Sequence, residues 1–267
     1  MRILKHAVSL AILFATLFIS TPTVMTHDTP QELTSDGTLR KLRVPILMYH
    51  YVIELPATAD QLRIGLTVHP QQFRDHLEYL RSNGYATVSL YEVYLALTQG
   101  HRLPPNPIVL TFDDGYSDHL YNAMPLLREY GFQGTFFIIT GFADESREGY
   151  LNWDQVKQLA ANGMEIAAHS KTHPDLRGRD HDFLVYEVLG SLESIKVNLG
   201  LLSIAFAFPM GRYDGATLNV LEQAKAILAV TTNHGATHTT DSRYEMPRLR
   251  VQNSTNTLAL AALLREK

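Results

Sequence analysis

Ile108-Val109-Leu110-Thr111-Phe112-Asp113-Asp114-Gly115 is an apolar, β-branched run that ends on two adjacent carboxylates and a glycine. Short apolar runs bounded by breakers read as buried strands. Pro104, Pro105 and Pro107 exclude a helix before it, and Gly115 permits a tight turn after it. Two carboxylates side by side at a strand end repel each other. A divalent cation would offset that repulsion and hold one of them deprotonated. Taken alone, the stretch is equally well explained as a solvated Asp-Asp-Gly turn, which is a common structure.

The same punctuation recurs on both sides. Short apolar runs at Val44–Tyr49, Tyr85–Val88, Thr135–Ile139, Met164–Ala168, Ile204–Phe208, Ile227–Thr231 and Arg248–Val251 read as strands. Between them lie helical patterns. One opens at His69-Pro70 and closes at Asn83-Gly84, and one is capped by Ser89 and runs through Leu97. Another covers Asp118–Tyr130 with a kink expected at Pro125, and one capped by Asn152 covers Trp153–Ala161. The remaining helices are expected over His181–Leu199, near 216–225 and over Leu258–Leu264. Residues 54–68 lack periodicity and read as loop. Strands alternating with helices indicate a parallel sheet with helical crossovers, hence an α/β fold. Seven or eight such units over about 210 residues favour a closed or nearly closed barrel over an open sheet. With no internal linker or repeat, the pattern describes a single domain.

Composition narrows the chemistry. The chain has 267 residues, is 45% hydrophobic and 19% charged, and carries a net charge of −4, so no basic surface for nucleic acid is evident. It has no cysteine, so any metal must be held by His and carboxylate. Arg2, Lys5 and His6 precede an apolar run from Ala7 to Ile19, the pattern of a secretory signal peptide over residues 1–22. The run is too short to span a bilayer comfortably, although an uncleaved anchor is the other reading, and no other stretch is long enough. A polar, Thr-rich segment to residue 43 reads as a flexible tether. The folded domain is then expected over 44–267, in a protein that is secreted, periplasmic or held at the cell envelope.

In a parallel barrel the loops after the strands share one face, and active sites sit there. Those loops carry His50, Asp113 with Asp114, His169 with His173, and Pro209-Met210-Gly211. His169 and His173 are spaced i, i+4, which on one helical turn would aim both rings at a metal. Asp114 would add an oxygen, and two His with one carboxylate leave a coordination position open, as in catalytic zinc sites. Zinc suits this donor set best; cobalt, nickel and manganese are admissible.

At these residues the chain resembles the polysaccharide deacetylases, the NodB-homology domain of carbohydrate esterase family 4. Thr111-Phe112-Asp113-Asp114-Gly115 and His169-Ser170-Lys171-Thr172-His173-Pro174 match the family's first two motifs in full and in order. The likeness extends over about residues 44 to 252, including Pro45–His50 and Tyr150–Asp154. It implies a distorted (β/α)7–8 barrel that removes acetyl groups, with a metal, from N-acetylglucosamine polymers such as poly-N-acetylglucosamine, peptidoglycan or chitin. It further implies Asp113 as general base and Asp114, His169 and His173 as metal ligands. The backbone N–H of Met210 is expected at the oxyanion, with Gly211 allowing close approach there. The third motif departs from the family: Ala207-Phe208-Pro209-Met210 stands where Arg-x-Pro-Tyr is usual, so the arginine that would orient Asp113 is missing. A branch of the family is similar in having Ala there. The final Leu-x-x-His motif is not clean either; His234 is the expected general acid, with His238 and His50 as alternatives. His50, Trp153, Pro209, Met210 and Gly211 are expected to line the substrate pocket, although Trp153 could equally be a staple at a helix start. An O-acetyl xylan esterase, or a glycan-binding module without catalysis, would use the same scaffold.

Overall fold

The structure, a computed structural model, describes residues 35–266. Seven parallel strands close on themselves: Ile46–Tyr49, Pro107–Phe112, Thr135–Ile138, Glu165–Ala168, Ala205–Ala207, Leu228–His234 and Met246–Arg250. Closure is made by the first strand. It pairs on one side with Pro107–Phe112, Tyr49 opposite Phe112, and on the other with the last strand, Leu249 opposite Leu47. Ala86–Thr87 adds to the flank of Pro107–Phe112 outside the ring. The expected barrel is therefore present, with seven strands in its closed ring.

The strands are buried nearly throughout, as parallel strands covered by helices must be. Alternate residues face opposite ways. Tyr49, Leu110, Phe112, Phe136 and Ile138 pack outward against Phe73, Leu77 and Leu127 of the surrounding helices. Phe112 stacks on Phe136 at 4.7 Å and meets Phe73 edge-on at 5.7 Å. Full burial of each such ring contributes about 2–3 kcal/mol. The other parity, which includes Met48, Thr111, Phe137 and Arg248, is also buried and faces the barrel interior. Asp113 continues that inward parity one residue beyond the strand, and its N–H bonds the Tyr49 carbonyl at 3.0 Å.

Local signals account for most helix boundaries. Ser89 with Glu92, and Asn152 with Gln155, form capping boxes that start Leu90–Gln99 and Trp153–Ala161. Three segments differ from expectation. Residues 54–68 hold a short helix, Gln61–Leu66, capped by Asp60, and a strand, Thr67–Val68, that pairs with Tyr51–Val52; both are too short for periodicity to show. Asp118–Tyr130 is a π-helical turn, His119–Ala123, followed by the helix Met124–Tyr130, in whose first turn Pro125 fits without a missing bond. The segment from His181 to Leu199 breaks into two helices at Val188.

The fold includes residues before 44. Asp36 N–H bonds the Thr98 carbonyl, and Lys41–Arg43 pairs antiparallel with Thr237–Thr239, so this end of the expected tether is fastened to the barrel. The expected signal segment, residues 1–22, lies outside the described residues. No helix among the described residues is long and apolar enough to cross a membrane.

Candidate active site

Three strand ends supply the site. Asp113 and Asp114 follow Pro107–Phe112, and His169 follows Glu165–Ala168 with its N–H on the Ile138 carbonyl at 2.9 Å. His50 follows Ile46–Tyr49. Asp114 Oδ1 lies 3.2 Å from His169 Nε2 and 3.4 Å from His173 Nε2. Four-coordinate zinc with bonds of about 2.0–2.1 Å holds its ligand atoms about 3.4 Å apart, so these spacings fit such an ion. The donor set fits as well. His169 Nδ1 donates to the Ala207 carbonyl at 2.7 Å, which leaves Nε2 as the atom facing Asp114 and His173. Among the described residues, Asp114, His169 and His173 form a cluster able to hold a metal ion.

Electrostatics hold Asp114 ionised and His173 neutral, while His169 is raised: burial works against its charge, but the Asp114 hydrogen bond and the two aspartate charges outweigh it. Burial alone would raise Asp114, but the His169 hydrogen bond and the charges of His50, His169 and His173 hold it well below the ordinary carboxylate range. Burial, helped by His169, lowers His173 to about 4, so its ring is neutral at pH 7. Asp113 does not belong to the triad. Burial would raise it too, but Arg248 overcomes that and holds it at about 2. The contact is a fork: Arg248 Nη1 and Nη2 donate to Asp113 Oδ1 and Oδ2, each at 2.7 Å, with both side chains buried. Arg248 is itself fixed by the Thr231 carbonyl and Thr111 Oγ1.

The site thus sets an ionised carboxylate beside an Asp/His/His cluster on the loop face of a parallel barrel. The polysaccharide deacetylase family model matches residues 100–228. The chain is 30% identical over 227 residues to YxkH of Bacillus subtilis (strain 168), which is named for the polysaccharide deacetylases; the match covers 85% of this chain and 78% of that protein. The chain belongs to the polysaccharide deacetylases, a family of hydrolases. The structure of the Streptococcus pyogenes deacetylase PplD, in complex with acetate, superposes with a TM-score of 0.78 at 28% identity, covering 85% of this deacetylase and 100% of PplD. The poly-β-1,6-N-acetyl-D-glucosamine N-deacetylase of Escherichia coli (strain K12) is 29% identical over 119 residues, which are 39% of this chain and 18% of that protein.

The remaining expected residues of the deacetylase divide. His50 is buried, its Nδ1 has no hydrogen-bond partner, and it interacts electrostatically with Asp114 and Asp113. Burial lowers it, with the two aspartates working against that shift. His234, by contrast, is exposed and its Nε2 meets Glu266; no contact joins it to the cluster. His238 is buried against the Val44 carbonyl. Trp153 starts its helix half-buried and donates to Asp144 at 2.8 Å. Asp144 in turn pairs with Lys171 of the histidine loop. Pro209–Gly211 forms a 3-10 turn, with Met210 at φ +55° and Gly211 at φ +67°. A Cβ on Gly211 would come within 2.0 Å of Thr232 Oγ1, which explains the glycine. A groove of about 440 Å³ is bounded by Tyr51, Pro56, Arg63, Leu66 and Tyr116, and the charge of Asp114 is felt at Tyr51 and Tyr116.

Two expectations are corrected here. His169–His173 is an irregular loop and not a helical turn: Ser170 (φ +61°) and His173 (φ +62°) are left-handed, so the rings converge by loop geometry. The missing arginine is not missing from the fold. Arg248, read from the sequence only as part of a strand, reaches Asp113 from the opposite end of the chain. Its one sequence signal was a pair of charges of one parity, Arg248 and Arg250, in the strand pattern Met246-Pro247-Arg248-Leu249-Arg250-Val251.

Proposed function

We propose that this chain hydrolyses N-acetyl groups from an extracellular polysaccharide built on N-acetylglucosamine, with a divalent metal, zinc by preference, held by Asp114, His169 and His173. The observation that carries the reading is the Arg248 fork on Asp113, which keeps a buried carboxylate ionised beside the ligand set without committing it to the metal. A bound cation would supply Lewis-acid polarisation of the acetyl carbonyl and acidify the attacking water. Asp113 then accepts the water's proton as the new C–O bond forms. The Met210 amide, on the Pro209–Gly211 turn, donates to the developing oxyanion. His50 donates a proton to the sugar nitrogen as the C–N bond breaks, releasing acetate and an amine. Its place beside both aspartates, whose charges favour its protonated form against the effect of burial, favours it over the exposed His234 for that role. The groove along Tyr51, Arg63 and Tyr116 takes the neighbouring part of the glycan chain.

Two relatives' names support the choice of substrate: the Escherichia coli match is an N-deacetylase of poly-β-1,6-N-acetyl-D-glucosamine, and PplD was solved with acetate. Such polymers lie outside the cytoplasmic membrane, in keeping with the signal-like N-terminus. The test is acetate release from N-acetylglucosamine oligomers by the full chain, with zinc, with chelator, and with Asp113→Asn. Release that requires both metal and Asp113 supports the reading. Release from acetylxylan but not from the oligomers would replace it with an O-acetyl esterase, and release from neither would leave a glycan-binding module.

A further inference from the structure

Glu187 is the last residue of the helix His181–Glu187 and is 1% exposed. Its carboxylate meets the segment between the two ligand histidines. Oε2 accepts the N–H groups of Lys171 and Thr172, each at 2.9 Å, and Oε1 accepts the Thr172 hydroxyl at 2.6 Å. That segment needs holding. Ser170 and His173 are both left-handed non-glycine residues, a conformation that costs about 1–2 kcal/mol each. Other supports act on its first half: the Ser170 and Lys171 carbonyls accept the Thr140 and Gly141 N–H groups. A Cβ on Gly141 would come within 2.4 Å of the Lys171 oxygen, so the helix Thr140–Asp144 abuts the loop there. His169 itself is fixed by its strand and by the Ala207 carbonyl. His173 has no such anchor: its N–H bonds Ser170 Oγ, within the same loop.

We propose that Glu187 is a positioning residue for the metal site, fixing the 170–173 loop so that His173 Nε2 meets the ion bound by His169 and Asp114. The inference rests on the metal-binding reading above. Its consequence is selective: losing the clamp removes the contribution of His173 and leaves those of His169 and Asp114.

The test measures zinc affinity of the full chain by competition with a chromogenic chelator. Glu187→Ala is expected to weaken binding about 10–100-fold. Glu187→Gln should stay within about 3-fold, because the amide oxygen can accept both N–H groups while its NH2 donates to the Thr172 hydroxyl. The deciding comparison is with His173→Ala. The double variant Glu187→Ala/His173→Ala should bind no more weakly than His173→Ala alone, since both changes remove the same ligand. A residue that merely stabilises the fold would give additive losses. Urea unfolding of the metal-free variants establishes that each is folded. Should Glu187→Ala not fold, Thr172→Val removes the hydroxyl arm of the clamp and should weaken zinc several-fold. Wild-type affinity in Glu187→Ala or Thr172→Val, or additive losses in the double variant, would overturn the proposal. Absence of zinc binding by the wild type would overturn the metal reading beneath it.

Discussion

Replacing Arg248 by Met keeps most of the side-chain volume and removes all four of its hydrogen bonds. Asp113 would be left as a buried carboxylate without its partner, and breaking a buried pair in this way costs about 3–5 kcal/mol. The pH dependence carries a signature. In the wild type Asp113 sits at about 2, against 3.8 for an ordinary aspartate, a gap equivalent to about 2 kcal/mol. Because the folded value is the lower one, this stability is present above pH 4 and is lost as pH falls towards 2. In Arg248→Met the burial that Arg248 had opposed pushes Asp113 upward, so folding then favours the protonated form. The stability gap between wild type and variant should therefore be widest at pH 7 and shrink towards pH 3. Urea unfolding at both values measures it. Asp113→Asn in the variant background should recover part of the loss, giving a double-mutant coupling above about 1 kcal/mol. At pH 7 kcat should fall by about 10²–10⁴-fold, since the base is then protonated or misaimed. A gap that is the same at both pH values, or below about 1 kcal/mol, would refute the assignment of Arg248 as the group that keeps Asp113 ionised.

His50→Gln should lower kcat by about 10²–10⁴-fold while leaving zinc affinity near wild type, whereas His234→Gln should change neither, because its exposed pair with Glu266 is worth about 0–1 kcal/mol; steady-state kinetics and chelator competition read both. Gly211→Ala places a Cβ against Thr232 in a left-handed backbone and should destabilise the fold by about 1–3 kcal/mol, seen as a lower urea midpoint with unchanged slope. Dialysis against chelator should abolish acetate release and lower the thermal midpoint, and added zinc should restore both, by mass action on the folded state.

The barrel was legible because its signals are local: short continuous apolar runs, caps at Ser89 and Asn152, and breakers at the turns. The Asp114, His169 and His173 cluster, with Asp113 beside it, was legible for the same reason, since two short motifs carry these residues within a few residues of strand ends. What escaped was non-local. Arg248 is 135 residues from Asp113, and nothing in the spacing of either joins them. His50 and His234 both follow strand patterns, and only burial separates the enclosed ring from the exposed one. Glu187 reads as one charge on an amphipathic helix; its burial against the histidine loop is a property of the folded chain.

Barrel closure by the last strand also imposes an order of events during synthesis. Asp113, Asp114, His169 and His173 are complete once His173 has emerged, but the guanidinium that keeps Asp113 charged arrives only with Met246–Arg250, the strand that seals the ring against Ile46–Tyr49. A growing chain therefore holds Asp114, His169 and His173 before it holds the guanidinium that balances Asp113, and that buried ion pair forms only when the ring is sealed.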